Sequence, residues 1–356
     1  MSQENQRKAI DRRAVVNAAA WTVPVIAFGA TAPFASASCQ GGGAFTAPLP
    51  QSGDVGPAGT RVTFTVPRGI TWITFDVVGG AGGGSSNRPY AAGRRVQGAV
   101  TVTPGEVLTF VTGQGGYYDG NSYSTGGQGY GNGGDVPIPS GNLTGFLIGG
   151  SGGGGSAILR GSTPLVVAGG GAGRGHHLGR IVEPDPSFSG DGSTETENAT
   201  RQGASQRFVE AGHGLPASGA TAGAGGAYWS QEGSVIVGSG VVVGNGGGSA
   251  AGGANGGNGV STTVQRTGSL PTGAYGTASG GGGGGYRGGG SGAAVRISWD
   301  AAGTFSGAMM AIAGAGGNGS SFAATSTSNV VHSTGGNANG GTANRAPGLV
   351  RVTWSC

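Results

Sequence analysis

Hydrophobic and polar residues alternate in several short segments of the chain. In the segment 60–78, TRVTFTVPRGITWITFDVV, apolar side chains take every second position before and after a Pro-Arg-Gly turn. A period of two is typical of β-strands with one buried face. The segment 94–113 repeats the pattern around Pro104 and Gly105, which predicts a second pair of strands joined by a tight turn.

The same pattern recurs toward the C-terminus. The segments 156–171 and 233–248 each predict two short strands around a turn, and AAVRISW at 293–299 and GLVRVTW at 348–354 predict one strand each. Beyond the first 37 residues, no segment carries apolar residues at helical spacing. The pattern predicts an all-β protein in which glycine-rich segments connect the strands.

Glycine supplies 86 of the 356 residues, a composition typical of disordered chains. Against disorder, 36% of the residues are hydrophobic and only 10% are charged, and the apolar residues form periodic runs. An ordered glycine tract must recover the large backbone entropy that glycine loses on folding, through close packing and hydrogen bonds. We therefore expect an ordered domain.

In the glycine-rich segments, glycine sometimes falls at every third position, as at Gly253, Gly256 and Gly259. A left-handed extended helix has three residues per turn, so this period gives it a bare edge that a neighbouring backbone can approach. One interpretation is a packed bundle of polyglycine II helices. The other is a set of flexible surface loops, which are also rich in glycine.

Residues 1–37 have the features of an export signal. A basic start is followed by an alanine-rich apolar stretch and by small residues that end at Ala37, as expected for a cleaved signal. The adjacent Arg12 and Arg13 resemble a twin-arginine signal. Pro24 and Pro33 interrupt the apolar stretch, which argues against a membrane anchor. We expect a secreted or cell-surface location, with residues 38–356 forming a single glycine-rich β domain and no stable membrane insertion.

The two cysteines are Cys39 and Cys356, one close to the predicted cleavage point and the other at the end of the chain. In an oxidising compartment a disulfide between them is the simplest interpretation. A loop of this length gives a stabilisation of about 5 kcal/mol in the chain-entropy model. A lipid-modified Cys39 and free or intermolecular thiols remain as alternatives.

The charge balance argues against a nucleic-acid partner. Residues 1–37 contain four of the 19 basic and two of the 15 acidic residues, so the mature chain has a net charge of only +2. Its cations are arginines spread along the chain, without the basic run that a nucleic-acid backbone requires.

Catalytic, cofactor and metal motifs are absent from the sequence. The glycine-serine stretch around Ser151 matches a nucleophile motif by composition only, and the only lysine, Lys8, lies in the signal, which excludes a phosphate-binding loop with its lysine. No histidine spacing indicates a metal site. Carboxylates are numerous only in an acidic insertion at about 183–210. A glycan-active enzyme would need an ordered acid and base pair there.

Aromatic residues in glycine-rich surroundings are the candidates for recognition. Tyrosine provides contact area at low entropic cost in binding loops, but the same rings can instead cover a glycine bundle that has few side chains of its own. The candidate residues are Tyr117, Tyr118, Tyr123, Tyr130, Tyr228, Trp229 and Tyr286.

Four segments together resemble the bacterial and phage glycine-rich domain family, which is similar to the extracellular glycine-rich region of anaplastic lymphoma kinase. They are FTVPRGITWITFDVVGGAGGG, VQGAVTVTPGEVLTFVTGQGG, GGGGSAILRGSTPLVVAGGGAG and GLVRVTW, spread over residues 60–354. The acidic insertion and the second, earlier ending AAVRISW depart from the family pattern.

The resemblance implies a jelly-roll-like β-sandwich with glycine-rich insertions packed as a polyglycine II bundle. It also implies an extracellular role in adhesion or recognition without a shared catalytic site. We expect a non-enzymatic, adhesin-like protein whose partner is a cell-surface glycan or protein. The alternatives are an ice-binding protein with a flat polyglycine II face and a glycan-active enzyme.

Overall fold

The computed structural model describes residues 41–50, 60–84, 91–118, 123–178, 197–199, 209–211, 214–230, 241–249, 253–266, 273–298, 309–336 and 346–355. Within these ranges the regular secondary structure is β-strand and no α-helix occurs, so the all-β prediction is confirmed. The export signal with Arg12 and Arg13, both cysteines and most of the acidic insertion lie outside the described residues.

Two five-stranded antiparallel sheets form the main body of the fold. The first sheet has the order β1 (Gly43–Thr46), β20 (Leu349–Trp354), β3 (Trp72–Val78), β4 (Arg94–Thr101) and β19 (Thr327–Thr334). The second has the order β18 (Phe322–Ala323), β8 (Thr163–Ala168), β7 (Ser156–Arg160), β5 (Val107–Thr112) and β2 (Thr60–Thr65).

The inner faces of the two sheets share one hydrophobic core, which makes the body a β-sandwich. Alternate residues of β2 and β3 point into it, including Phe64, Ile73 and Phe75, as the alternation in the sequence predicts. Three phenylalanines and the C-terminal Trp354 form a chain of ring contacts in which Phe64 stacks on Phe110 with centroids 5.4 Å apart. Such contacts add to the free energy gained from burial alone.

The prediction that 94–113 forms a pair of strands joined at Pro104 and Gly105 is wrong in one respect. β4 and β5 lie in opposite sheets, and β2 and β3 are likewise separated. The connection between β2 and β3 runs beside the connection between β4 and β5. The N–H of Val102 donates to the carbonyl of Thr71 at 2.9 Å, and the N–H of Gly105 donates to the carbonyl of Val66 at 2.9 Å. Alternation identifies a strand and its buried face, but it does not identify the partner strand.

The predicted hairpin of 156–171 is confirmed, because β7 and β8 pair around the turn at Gly161. Three smaller sheets are also found among the described residues. They contain, in spatial order, β14 (Ser261–Arg266), β15 (Gly273–Ala278) and β6 (Gly145–Ile148); β13 (Val241–Val242), β16 (Ala294–Ser298), β17 (Met309–Ala313) and β9 (His176–Leu178); and β10 (Glu197–Ala199), β11 (Val209–Ala211) and β12 (Tyr228–Ser230).

Thirteen glycine-rich tracts connect these strands and contact one another. In chain order they are tract 1 (79–84), tract 2 (113–117), tract 3 (126–130), tract 4 (131–135), tract 5 (149–155), tract 6 (169–175), tract 7 (214–217), tract 8 (223–226), tract 9 (244–248), tract 10 (254–259), tract 11 (279–285), tract 12 (288–292) and tract 13 (314–320).

Backbone hydrogen bonds in tract 5 repeat with a period of three residues. Residues three apart donate their N–H groups to the same neighbour: 150 and 153 to tract 6, 151 and 154 to tract 2, and 152 and 155 to tract 4. The carbonyls of tract 5 accept from tracts 1, 3 and 11 with the same spacing. Tract 5 is therefore bonded on all sides, to six neighbouring tracts, whereas a strand in a sheet is bonded to two.

The same pattern joins the tracts into layers. Tracts 7, 8, 9, 10 and 4 are bonded one to the next in an outer layer, whose first four tracts surround tract 12 on one side. Tracts 12, 13, 11 and 5 form a middle layer inside it, and tracts 6 and 1 lie beyond the middle layer. Bonds run both within and between the layers. For example, the N–H of Gly282 donates to the carbonyl of Gly257 at 2.9 Å, from the middle to the outer layer. We call this assembly the glycine block.

Only glycine fits at most positions inside the block. A Cβ added to Gly282 would lie 2.0 Å from the carbonyl oxygen of Gly289, and one added to Gly152 would lie 1.9 Å from that of Gly282. These contacts are with backbone atoms, which a change of rotamer does not relieve. The high glycine content therefore follows from the close approach of the tracts.

Candidate recognition surface

The outer layer of the glycine block has an exposed side that carries side chains at a regular spacing. In tracts 7, 8, 10 and 4, exposed or half-buried residues are separated by buried residues that contact the middle layer, and every residue of tract 9 is exposed or half-buried. We call the set of outward residues the outer face. It consists of Leu215, Ala224, Asn245, Asn255 and Asn258, which are exposed, and of Asn132 and Asp135, which are half-buried.

Asparagine and aspartate occupy one half of the outer face in a repeating arrangement. The Oδ1 atom of Asn255 accepts the N–H of Asn132 at 2.9 Å, and three residues further along both tracts, the Oδ1 atom of Asn258 accepts the N–H of Asp135 at 3.0 Å. The backbone carbonyls of Asn132 and Asp135 accept the N–H groups of the glycines that follow Asn255 and Asn258. Tracts 4 and 10 are thus locked in register by side-chain and main-chain bonds together.

Tyr123 lies at the polar end of the outer face and is 46% exposed. Its hydroxyl donates to Asp135 Oδ2 at 2.6 Å, while Asp135 Oδ1 accepts the N–H of Gly126 at 2.7 Å. The hydrogen bond to Asp135, with some burial and the negative charge of that carboxylate, raises the pKa of Tyr123 to about 12. The ring is therefore held in one orientation, with part of its face open to solvent.

Tyr117 and Tyr118 are half-buried and lie beside tracts 5 and 6. The backbone N–H of Tyr117 donates to Ser151 Oγ at 2.7 Å. The guanidinium carbon of Arg174, a residue that is 6% exposed, lies 5.8 Å from the centre of the Tyr118 ring, within the range of a cation–π contact. Both tyrosines contribute to the packing of the block.

Tyr130 and Tyr286 pack against the outer side of the second sheet of the sandwich. Tyr130 is only 7% exposed, and burial raises the pKa of its hydroxyl. The Tyr286 ring stacks on Phe322 with centroids 4.3 Å apart. Tyr130 is buried with Val111, Ala157, Leu159 and Val167. These two rings cover the junction between the sandwich and the glycine block.

The remaining aromatic candidates, Tyr228 and Trp229, lie on β12, which pairs with β11. The seven candidates are thus spread over several parts of the fold, and Tyr123 is the one that the structure places with an exposed ring at the outer face. Their role in recognition stays a prediction.

The outer face can make hydrogen bonds and limited apolar contacts. Its amides offer donors and acceptors, Tyr123 offers a ring, and Leu215 and Ala224 offer a small apolar area at the opposite end. Among the described residues, no group of three or more histidine, cysteine, aspartate or glutamate side chains is arranged to hold a metal ion. Nor does any helix in these ranges have the length and apolar character needed to cross a membrane.

The asparagine positions of the outer face were not identified from the sequence, although a signal exists. The motif Asn-Gly-Gly-Asp at 132–135 recurs as Asn-Gly-Gly-Asn at 255–258. Because the hydrogen bonds of tracts 4 and 10 repeat every three residues, a polar side chain at every third position marks the edge that faces solvent.

No family of known proteins matches the sequence, and no curated protein is similar to it.

Proposed function

We propose that the protein is a secreted, non-enzymatic surface protein of the adhesin type, in which a β-sandwich carries a rigid glycine block and exposes its outer face to a cell-surface glycan or protein. The observation that carries the proposal is the outer layer, whose tracts are bonded on their inner sides and display ordered side chains on the outside. A surface ordered before binding loses little conformational entropy on contact with a partner.

Secretion rests on the sequence of residues 1–37, with Arg12 and Arg13 in a basic start and small residues before the predicted cleavage at Ala37. A disulfide between Cys39 and Cys356 belongs to the same proposal, since it would form after export. A mass measurement of the secreted chain with and without reductant tests both, because cleavage and the loss of two hydrogens each change the mass.

The tracts of the block are proposed to be polyglycine II helices, as in the glycine-rich domain family that the sequence resembles. The three-residue period of the hydrogen bonds in tract 5 and its six bonded neighbours support this conformation. A helix of this kind has three residues per turn and no internal hydrogen bonds. Backbone angles from NMR should fall at φ of about −75° and ψ of about +145°; angles typical of paired β-strands would contradict the assignment.

Amide groups beside an exposed tyrosine ring favour a hydroxyl-rich partner, because amides bond to hydroxyls and a ring covers the apolar face of a sugar. The test is binding of the fluorescently labelled chain 38–356 to an array of bacterial surface polysaccharides and to intact cells. Tyr123→Ala should weaken binding by about tenfold, equivalent to about 1.4 kcal/mol. Trp72→Ala, which removes an exposed ring of the sandwich, should leave binding unchanged.

Absence of saturable binding to any polysaccharide or cell surface would contradict the recognition proposal. If the chain releases sugar from the array, and a variant with a single carboxylate replaced does not, the result would instead favour the glycan-active enzyme.

Ice binding is the second candidate function, and the register between tracts 4 and 10 favours it. Outward side chains in the two tracts repeat at an interval of three residues, which is about 9 Å in an extended helix of this kind. The two tracts are neighbours in the outer layer. Ala254 is 3% exposed and does not contribute to this face. Thermal hysteresis or faceted ice crystals would support this function, and their absence would exclude it.

A further inference from the structure

Five Asn-Gly pairs lie within the described ranges: Asn132-Gly133, Asn245-Gly246, Asn255-Gly256, Asn258-Gly259 and Asn318-Gly319. In such a pair, the backbone nitrogen of the glycine can attack the side-chain carbonyl carbon of the asparagine, since no side chain shields that nitrogen. The reaction requires a free glycine nitrogen and an asparagine side chain that can turn toward it.

The glycine nitrogen is engaged in four of the five pairs. Each of these glycines is buried and donates its N–H to a carbonyl of a neighbouring tract: Gly133 to Gly127, Gly256 to Asn132, Gly259 to Asp135, and Gly319 to Gly170, at 2.7 to 3.0 Å. Attack would first require these bonds to break, at the cost of a local opening of the block.

The asparagine side chain is fixed in the same four pairs. Each Oδ1 atom accepts a backbone N–H, which holds the side-chain carbonyl in place: Asn132 from Gly129, Asn255 from Asn132, Asn258 from Asp135, and Asn318 from Ala172, at 2.7 to 3.1 Å. Both reacting groups are therefore held apart by bonds to other parts of the chain.

Asn245 and Gly246 differ from these four pairs at the glycine nitrogen and at the side-chain oxygen of the asparagine. Gly246 is exposed, and within the described residues its N–H makes no hydrogen bond. A Cβ added there would meet no atom closer than 3.6 Å, so water has access to this part of tract 9. The Oδ1 atom of Asn245 has no partner in the described part of the chain, and Nδ2 donates to the carbonyl of Asn258 at 2.7 Å.

We propose that Asn245 is a site of spontaneous deamidation. The Gly246 nitrogen, after losing its proton to solvent, forms a bond to Cγ of Asn245, and the side-chain nitrogen leaves as ammonia after taking up a proton. Water then opens the resulting succinimide at one of its two carbonyls, giving aspartate or isoaspartate. The net reaction consumes one water and releases one ammonia, so no oxidant or cofactor is needed.

The modification places a negative charge in the centre of the outer face. It removes the donor that Asn245 offers to the carbonyl of Asn258, and the new carboxylate cannot replace it, since an ionised carboxylate only accepts hydrogen bonds. Isoaspartate also lengthens the backbone by one carbon within tract 9. The outer face therefore changes in charge and in local register as the protein ages.

The test is peptide mapping by mass spectrometry of the purified folded chain, incubated at mildly alkaline pH in ¹⁸O-labelled water, with a second sample in denaturant. For each pair, the rate in denaturant divided by the rate in the folded chain gives a protection factor. We expect the factor at Asn245 to be the smallest of the five, because the glycine nitrogen and the side-chain oxygen are not bonded there, and the factors at the other four pairs to be at least about tenfold larger. A tenfold ratio corresponds to an additional opening free energy of about 1.4 kcal/mol.

Protection of Asn245 equal to that of the other four pairs would overturn the proposal. Gly246→Ala is the matched variant, because the structure has room for a methyl group there and a Cβ shields the attacking nitrogen. It should slow the reaction at Asn245 by about tenfold in folded and denatured chains alike. An unchanged rate in the variant would mean that hydrolysis does not pass through the Gly246 nitrogen.

Discussion

The side-chain oxygen of Asn255 accepts the backbone N–H of Asn132 at 2.9 Å, across two tracts that are 123 residues apart in sequence. The same bond recurs three residues later between Asn258 and Asp135. A glycine tract at the surface has no further tract to bond to, and these side chains supply the acceptors instead. These bonds hold the exposed edges of tracts 4 and 10 in register.

Replacement of a single interior glycine should destabilise the whole block. Gly282→Ala places a methyl group 2.0 Å from the carbonyl oxygen of Gly289, and we expect the free energy of unfolding to fall by about 3 kcal/mol or more, at or above the usual range for overpacking. Gly246→Ala should change it by no more than about 1 kcal/mol, because the added Cβ has space. Denaturant unfolding of the two variants checks this, and equal losses would contradict close packing of the tracts.

The buried Asn318 should contribute more to the free energy of unfolding than the exposed Asn255. Asn318 is 2% exposed, and its Oδ1 atom accepts the N–H of Ala172 at 2.7 Å. Asn318→Ala leaves that buried N–H without its acceptor, so we expect a loss of about 1–3 kcal/mol. Asn255→Ala exposes the N–H of Asn132 to water, and we expect a loss of at most about 1 kcal/mol. Thermal unfolding of both variants gives the comparison, and a larger loss for Asn255→Ala would be inconsistent with the layer order.

The ion pair between Glu106 and Arg160 should make stability depend on pH in the acid range. Burial acts to raise the pKa of Glu106, but hydrogen bonds from Arg160 and from the Thr103 N–H, with the charge of Arg160, outweigh it and hold the pKa below its ordinary value of 4.5. A lowered pKa in the folded state stabilises the protein above the unfolded-state value, and this contribution is lost as the pH falls through the folded-state value.

Glu106→Gln should therefore lower the free energy of unfolding at neutral pH, by about 1 kcal/mol for a partly exposed pair. The difference from the unchanged protein should shrink below about pH 4, where Glu106 becomes protonated. Denaturant unfolding at the two pH values measures it. A difference that persists unchanged in acid would mean that the carboxylate charge contributes nothing.

Tyr123 should ionise only at strongly alkaline pH. Its pKa is raised to about 12, first by the hydrogen bond to Asp135 and then by burial and the charge of that residue. In Asp135→Asn, the pKa should fall back toward 10, the ordinary value for tyrosine. An ultraviolet titration of the variant, with Tyr123→Phe to assign the signal, checks this. An unchanged titration in Asp135→Asn would contradict the bond.

The sequence predicted the strands of the sandwich well, because burial of one face leaves a period of two in the residues themselves. Phe64 and Ile73 belong to the shared core, as expected. The pairing of β4 with β3, and of β5 with β2, was not predictable, since the alternation is the same whichever sheet a strand joins. Short connections usually indicate a hairpin, but here they cross between the sheets.

The arrangement of the tracts was still harder to predict. Glycine at every third position, as at Gly256 and Gly259, indicated one bare edge. Which tract lies against that edge depends on main-chain bonds that are chemically alike everywhere. The N–H of Gly152 donates to the carbonyl of Gly134, and a bond from this N–H to a carbonyl of any other tract would be chemically the same. The asparagines at 132, 245, 255 and 258 and the aspartate at 135 distinguish the outer edge by residue type.

Hydrogen exchange in the glycine tracts tests the central claim, that the block is a rigid hydrogen-bonded body. The amides of residues 150–155 in tract 5 and 280–285 in tract 11 donate to neighbouring tracts and are buried. Mass spectrometry should therefore find them protected to the same degree as the amides of β7, which follows tract 5 in the chain. Complete exchange of both tracts at the earliest time point, with β7 still protected, would mean that the tracts are flexible loops and that the molecule has no fixed outer face.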